Sequence, residues 1–171
     1  FPEYYESFDR LPRMIMKIDM FRYFLMYKYG GLYTDMDYYT LNKFDLLEHE
    51  VVLPCNREDS SGIPECLGNC VFASVPGHPF WKTLMDTLHT IDRSKLDHSI
   101  DKHIDGHILG TGPMFVYGMW RKFTDKESIY VPKRSLFHPV TNLDQEYINK
   151  LKSSGTYGLH ICTGVWRNNK L

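Results

Sequence analysis

Residues 17–37 constrain this chain more than any other stretch. They read Lys17-Ile18-Asp19-Met20-Phe21-Arg22-Tyr23-Phe24-Leu25-Met26-Tyr27-Lys28-Tyr29, then Gly30-Gly31, then Leu32-Tyr33-Thr34-Asp35-Met36-Asp37. From Met14 to Tyr29 nearly every residue is apolar or aromatic, which predicts a helix buried on most sides. Pro12 suits its first turn, so the helix is expected over Pro12–Tyr29. Gly30-Gly31 supplies the left-handed residue that ends a helix. Leu32-Tyr33-Thr34 has strand character. A chain leaving a strand at Asp35 places its next side chains at the sheet's carboxyl edge, where open α/β sheets bind ligands.

Few charges interrupt this apolar background. Asp19 and Arg22 are three apart and share a helix face. In so apolar a helix such a pair is either a buried ion pair or faces a cleft. Asp35 and Asp37 can point to one side of a turn, where two carboxylates repel unless a cation lies between them. Oxygen ligation with few protein ligands suits a hard ion such as Mg²⁺ or Mn²⁺ holding phosphate oxygens. A bare Asp-x-Asp also fits a solvated turn.

The full pattern, Asp19-x-x-Arg22-Tyr23…Tyr29-Gly30-Gly31-Leu32-Tyr33-x-Asp35-x-Asp37, resembles the DxD glycosyltransferases of family 32. That group includes yeast-type α-mannosyltransferases, α-1,4-galactosyl- and N-acetylglucosaminyltransferases and capsular polysaccharide enzymes, and the large bacterial glucosylating toxins share a similar core. The resemblance continues in order through Gly68-Asn69-Cys70-Val71-Phe72-Ala73, Gly77-His78-Pro79-Phe80, Gly110-Thr111-Gly112-Pro113, Phe137-His138-Pro139, His160 and Trp166. It implies an α/β chain of the nucleotide-diphospho-sugar transferase fold, GT-A, with a mostly parallel central sheet flanked by helices. It also implies transfer of a hexose or deoxyhexose from a UDP- or GDP-sugar to a glycan or other hydroxyl acceptor, with retention and with Mn²⁺ or Mg²⁺ as cofactor. The site residues it implies are Asp19 and Arg22 on donor-sugar hydroxyls, Asp37 on the metal, and Asp35 on the metal or the ribose and sugar. His160 would be a late third ligand, Tyr33 would lie against nucleotide or sugar, Asn69 would reach sugar or acceptor, and Trp166 would close over the diphosphate. The helix start at Gly112 is either an anion-favouring N-terminus facing phosphate or sugar hydroxyls or an ordinary capped helix packed on the sheet. Members of the group carry a strand–helix–strand portion before the carboxylate pair that holds the nucleotide base. Asp35 comes too early here for that, so residues 1–171 are expected to form one GT-A-like domain whose first portion lies upstream of Phe1.

The rest of the chain reads as alternating strands and helices, which argues for an α/β layer fold. Strands are expected at Tyr38–Leu41, Val51–Pro54, Asn69–Ser74, Ile129–Val131, Ser135–Phe137 and Tyr157–Cys162. Helices are expected at His78–Ile91, at Thr111–Phe123 with Thr111 as cap and Pro113 in the first turn, and at Asp144–Lys152. Phe44–Leu47 reads as a turn or brief helix. Asn56–Gly68 is polar and turn-rich, a surface loop and candidate lid. Arg93–Gly106, with its interleaved aspartates and histidines, reads as a solvated loop or a metal-binding one.

A net charge of −1 over 171 residues gives no basic footprint for nucleic acid and no polybasic membrane patch. No apolar run spans a membrane without charges. Cys55, Cys66, Cys70 and Cys162 lack paired zinc spacing and read as buried thiols, with a disulfide within Cys55–Cys70 open to a chain in a secretory lumen. The compartment stays open: cytoplasm for a bacterial or viral chain, Golgi lumen for a eukaryotic one with an upstream anchor. Two other readings compete: a sugar-nucleotide-binding, lectin-like module without catalysis, and a metal-dependent phosphohydrolase. The phosphohydrolase needs further acidic clusters at strand ends. The carboxylates are not spaced as an acid–base pair around a glycosidic bond, which argues against a glycoside hydrolase.

Overall fold

The computed structural model describes the chain except residues 46–47, 92–102, 105–106, 109 and 164–171. A 3-10 turn, Pro2–Tyr4, leads into the short helix α1, Tyr5–Asp9. Helix α2, Met14–Tyr29, follows; Arg13 is extended and caps it, so the helix starts beyond Pro12. Its buried residues Met16, Asp19, Met20, Tyr23 and Met26 recur at helical spacing on one face. The opposite face exposes Met14, Ile18 and Phe21. The expectation of burial on most sides is corrected: the core lies on one side of α2 only.

Gly30 ends α2 at φ 61°, ψ −145°, a region essentially reserved for glycine. The chain turns directly into β1, Gly31–Thr34. The remaining elements are β2 (Tyr38–Thr40), β3 (Val51–Val52), β4 (Cys55–Glu58), β5 (Pro64–Leu67), β6 (Val71–Ser74), α3 (Pro79–Thr90), β7 (His103–Ile104), β8 (His107–Ile108), α4 (Pro113–Lys122), β9 (Ile129–Tyr130), α5 (Arg134–Phe137), α6 (Gln145–Ser153) and β10 (Gly158–His160).

The main sheet runs β1-β6-β3-β9 and is mixed. β1 and β3 both pair antiparallel with β6, and among the described residues only β3 and β9 pair parallel. The expectation of a mostly parallel sheet is therefore corrected. Parallel neighbours need a long crossover, usually helical. The stretch from β3 to β6 holds no helix; its turn-rich middle is the β4–β5 hairpin, so β6 returns antiparallel. That hairpin also replaces the expected loop at Asn56–Gly68. Asp59 closes it by accepting from the backbone N–H groups of Ser61 and Ile63, with Gly62 at φ 80°. The β3-to-β9 connection contains α3 and α4, which provide the crossover.

Ser135–Phe137 is helical instead of extended, because Leu136 N–H bonds back to the Lys133 carbonyl and closes one turn. Cys55 and Cys70 are buried thiols, so no bridge joins them. The Phe44–Leu47 and Arg93–Gly106 readings fall largely outside the described residues. Among the described residues no helix is long and apolar enough to cross a membrane.

The principal core packs α2 and α3 against the sheet through Met16, Met20, Tyr23, Phe72, Trp81, Leu84 and Phe115. A second cluster, Tyr38, Cys70, Val71 and Phe137, lies beneath the end of β2. His138 borders it, 5% exposed, edge-on to Tyr38 at 6.3 Å and 3.9 Å from Cys70 Sγ, its Nε2 without a hydrogen-bond partner among the described residues. Burial, with the nearby His160 and Arg134 charges, pulls this imidazole down to about 3. An unfolded histidine titrates near ~6.5. Between those values the unfolded chain binds the extra proton, so this contribution to stability is complete above pH ~6.5 and is lost as pH falls toward 3. The slope should approach about 1.4 kcal/mol per pH unit for one proton. Chemical denaturation of His138→Asn between pH 6 and 4 should show a shallower dependence than wild type; equal slopes would contradict the assignment.

Candidate active site

The helix–glycine–strand passage brings α2 and the end of β1 to one edge of the sheet. Asp35 follows β1, with its backbone N–H donating to the Cys70 carbonyl at 2.7 Å. Asp37 lies on the next turn, just before β2. β2 pairs antiparallel with β10, setting Tyr38 opposite His160. That pairing is what carries a histidine 123 positions away to Asp37: His160 Nε2 and Asp37 Oδ1 are 2.9 Å apart. One ligand atom from each of Asp35, Asp37 and His160 lies within 4.8 Å of the others, and all three side chains are half-buried.

Asp37 is held on its second oxygen by Thr163, whose N–H donates at 3.0 Å and whose hydroxyl donates at 2.8 Å. Burial pushes the Asp37 carboxyl up, but the Thr163 bonds and the His160 charge outweigh it and hold the group below the ordinary carboxylate value. The other His160 nitrogen, Nδ1, is 3.2 Å from Cys162 Sγ. Cys162 is the one described non-glycine residue with positive φ, 57°. Two carboxylate oxygens and one imidazole nitrogen, gathered and partly shielded from water, form a donor set that fits a divalent ion.

Beside this triad lies a buried polar network. Asp19 is 2% exposed and Arg22 4%. Their ion pair, Arg22 Nη2 to Asp19 Oδ1, spans 3.4 Å. Asp19 Oδ1 also accepts from Asn69 Nδ2 at 2.7 Å, and Oδ2 accepts from the Thr111 hydroxyl at 2.7 Å. Burial raises the Asp19 carboxyl against the opposing pull of Arg22, Thr111 and Asn69. Arg22 reaches out of the network: its Nη1 donates to the Asn69 carbonyl and lies 3.5 Å from Asp35 Oδ1. The Tyr33 ring lies 5.0 Å from the Arg22 guanidinium carbon, and its hydroxyl donates to Asp35 Oδ1 at 2.6 Å. Burial, then the Asp35 bond, raise this phenol above its ordinary value although Arg22 opposes them.

Of the residues singled out from sequence, Asp19, Arg22, Tyr33, Asp35 and Asn69 fall in one connected network. Asp37 and His160 adjoin it through Asp35. Gly112 is the N-cap of α4, and no side chain caps its first turn by a hydrogen bond. Thr111 is not the cap expected; its hydroxyl is spent on Asp19 across 92 positions. Trp166 lies outside the described residues. Thr163 and Tyr23 were not anticipated. No local signal marks Thr163, because only the β2–β10 register sets it beside Asp37. Tyr23 reads as core, and its hydroxyl donates to the Thr111 carbonyl from within that core.

Residues 1–53, which end just beyond this acidic pair and include all of α2 and β1, match the family described as a glycosyltransferase sugar-binding region containing a DXD motif. The chain is similar to DXD-containing glycosyltransferases over this stretch and to mannosyltransferases over more of its length. It is 27% identical over 169 residues to inositol phosphoceramide mannosyltransferase 2 of Schizosaccharomyces pombe, covering 99% of this chain and 45% of that protein. It is 30% identical over 131 residues to inositol phosphoceramide mannosyltransferase 3 of the same yeast, covering 75% and 34%. Mannosyl phosphorylinositol ceramide synthase SUR1 of Saccharomyces cerevisiae is 29% identical over 131 residues, covering 72% and 30%. The chain thus spans less than half the length of these curated relatives. No solved structure matches it. The Asp-x-Asp triplet within the matched residues is Asp35-Met36-Asp37, with Met36 fully exposed.

Proposed function

We propose that this chain carries the donor-binding and catalytic centre of a metal-dependent glycosyltransferase that moves a hexose from a nucleotide-diphosphate sugar to a hydroxyl acceptor. The observation that carries this reading is the convergence of Asp35, Asp37 and His160 within 4.8 Å, beside a buried arginine. The relatives' names favour mannose as the sugar, hence a donor of the GDP-mannose type, and an inositol phosphoceramide or similar glycan as acceptor.

Asp35, Asp37 and His160 would hold the ion, and the nitrogen ligand favours Mn²⁺ over Mg²⁺. A divalent cation there supplies Lewis-acid neutralisation of the charge that builds on a departing diphosphate. The protein's own part is preorganisation. Thr163 fixes the Asp37 carboxylate, Cys70 fixes the Asp35 backbone, and Arg22 holds a permanent positive charge against Asp35 in a poorly hydrated setting where it acts strongly. Tyr33 steadies Asp35 and presents a ring face toward Arg22. In a retaining reaction the acceptor hydroxyl arrives on the leaving-group face and its proton passes to the departing phosphate, so no side-chain base is required.

The fold is proposed to be of the GT-A kind. Among the described residues β1 is an edge strand, with Leu32 46% exposed, and the neighbouring outer face of α2 is apolar. An upstream strand–helix–strand portion would pair along β1 and cover Met14, Ile18 and Phe21, completing one domain with residues 1–171. Incubation with GDP-mannose, UDP-glucose and UDP-galactose, each with Mn²⁺ or with EDTA, tests the activity. Nucleoside diphosphate should be released from at least one donor with Mn²⁺, and EDTA should abolish that release. Release unaffected by EDTA would contradict the metal requirement.

A further inference from the structure

Thr111 sits one residue before the N-cap of α4, yet its hydroxyl serves a different element. It is 1% exposed and donates to Asp19 Oδ2 at 2.7 Å, while its carbonyl accepts from the Tyr23 hydroxyl. Both of these partners belong to α2. Asp19 in turn contacts Arg22, and Arg22 lies 3.5 Å from Asp35 Oδ1. A continuous run of buried polar contacts therefore joins the start of α4 to a carboxylate of the proposed metal site. Asp19 has each oxygen engaged within the protein, so in this arrangement it orients Arg22 from behind. Among the described residues Arg22 Nε has no hydrogen-bond partner, so the guanidinium is held by its Nη contacts and by the Tyr33 ring against it.

We propose that Thr111 is a positioning residue for sugar transfer: by fixing the Asp19 carboxylate it sets the orientation in which Arg22 faces Asp35 and the bound donor. The inference rests on the transferase reading above. Only a hydroxyl at position 111 supplies this contact. Valine has nearly the same shape but leaves Asp19 Oδ2 buried without its donor, so the carboxylate and Arg22 must readjust to each other. Serine keeps the donor and removes only a methyl group.

The test compares Thr111→Val and Thr111→Ser with wild type in nucleoside diphosphate release, alongside thermal melting and Mn²⁺ affinity. Thr111→Val should lose about 10–100-fold in kcat, the scale seen for partners that orient ligating groups, with the Mn²⁺ dissociation constant and the donor KM within threefold. Thr111→Ser should recover kcat to within threefold of wild type. Wild-type kcat in folded Thr111→Val overturns the proposal, as does an equal kcat loss in the serine variant. If the valine variant melts below the assay temperature, Tyr23→Phe carries the test. That variant removes the anchor on the Thr111 carbonyl: a kcat loss of about tenfold supports the proposal on the same scale, and unchanged kcat overturns it. No nucleoside diphosphate release by the wild type would sink the transferase reading and this inference together, whereas release by the wild type beside a fully active Thr111→Val would sink the inference alone.

Discussion

Asp37→Ala should lower kcat for donor turnover by about 10²–10³-fold, the loss typical of removing one preorganised electrostatic group from a transition state. Asp37 is where the proposed ion, the late histidine and the C-terminal segment meet. One oxygen lies 2.9 Å from His160 Nε2, and the other accepts two bonds from Thr163. Removing the carboxylate removes a ligand and also releases His160 and Thr163 from their common partner. Asp37→Asn keeps the shape and loses the charge, so it should fall nearly as far if charge is what matters. Steady-state release of nucleoside diphosphate at saturating Mn²⁺ measures both variants. Activity within threefold of wild type in either one would show that the acidic pair does not hold a catalytic ion.

Gly30→Ala should destabilise the fold by about 2–6 kcal/mol, summing backbone strain of ~1–3 kcal/mol and overpacking of similar size. Two independent features require glycine here. The backbone sits at φ 61°, ψ −145°, which L side chains rarely adopt. An added Cβ would also stand 2.5 Å from the Ser74 carbonyl oxygen and 2.6 Å from the Pro76 nitrogen. These are backbone atoms at the end of β6, the partner of β1, and just beyond it, and they cannot swing aside as a flexible side chain could. Gly31, at φ 83°, has open space where its Cβ would lie, so Gly31→Ala should cost only the backbone part, about 1–3 kcal/mol. Urea denaturation of the two variants separates the effects. Equal losses would show that the close approach of β6 to Gly30 does not matter.

The glycine pair also explains why so much of the site can be read in the chain. Asp19, Arg22, Tyr33, Asp35 and Asp37 fall within 19 consecutive positions, so local rules of helix, stop and strand are enough to place them together. Helical spacing puts Asp19 and Arg22 on one face, and the glycines set the turn that aims β1 at the same edge. What sequence could not supply comes from long-range pairing. Thr163 reaches Asp37 only through the β2–β10 register. Thr111 was read as a helix cap because threonine before Gly-Pro satisfies the local rule; its buried acceptor on α2, 92 positions away, outcompetes the cap. The mixed sheet was missed for a related reason. Alternation of strands and helices suggests parallel pairing, but the stretch Val51–Ser74 packs four strands without a helix, and the polar turn at Asp59–Ile63 gave no sign of the ladder on either side of it. The burial of α2 was overestimated because composition reports how apolar a helix is, and not how many sides the core covers.

Titration of the wild-type protein with Mn²⁺, followed by the loss of its free-ion paramagnetic resonance signal with and without GDP, tests the central claim most directly. The account predicts saturable binding of one ion per chain, tightened by the diphosphate and weakened at least tenfold in Asp37→Asn, the lower end of the change expected when a metal site loses an ordered group. Binding of equal strength in wild type and Asp37→Asn would contradict it.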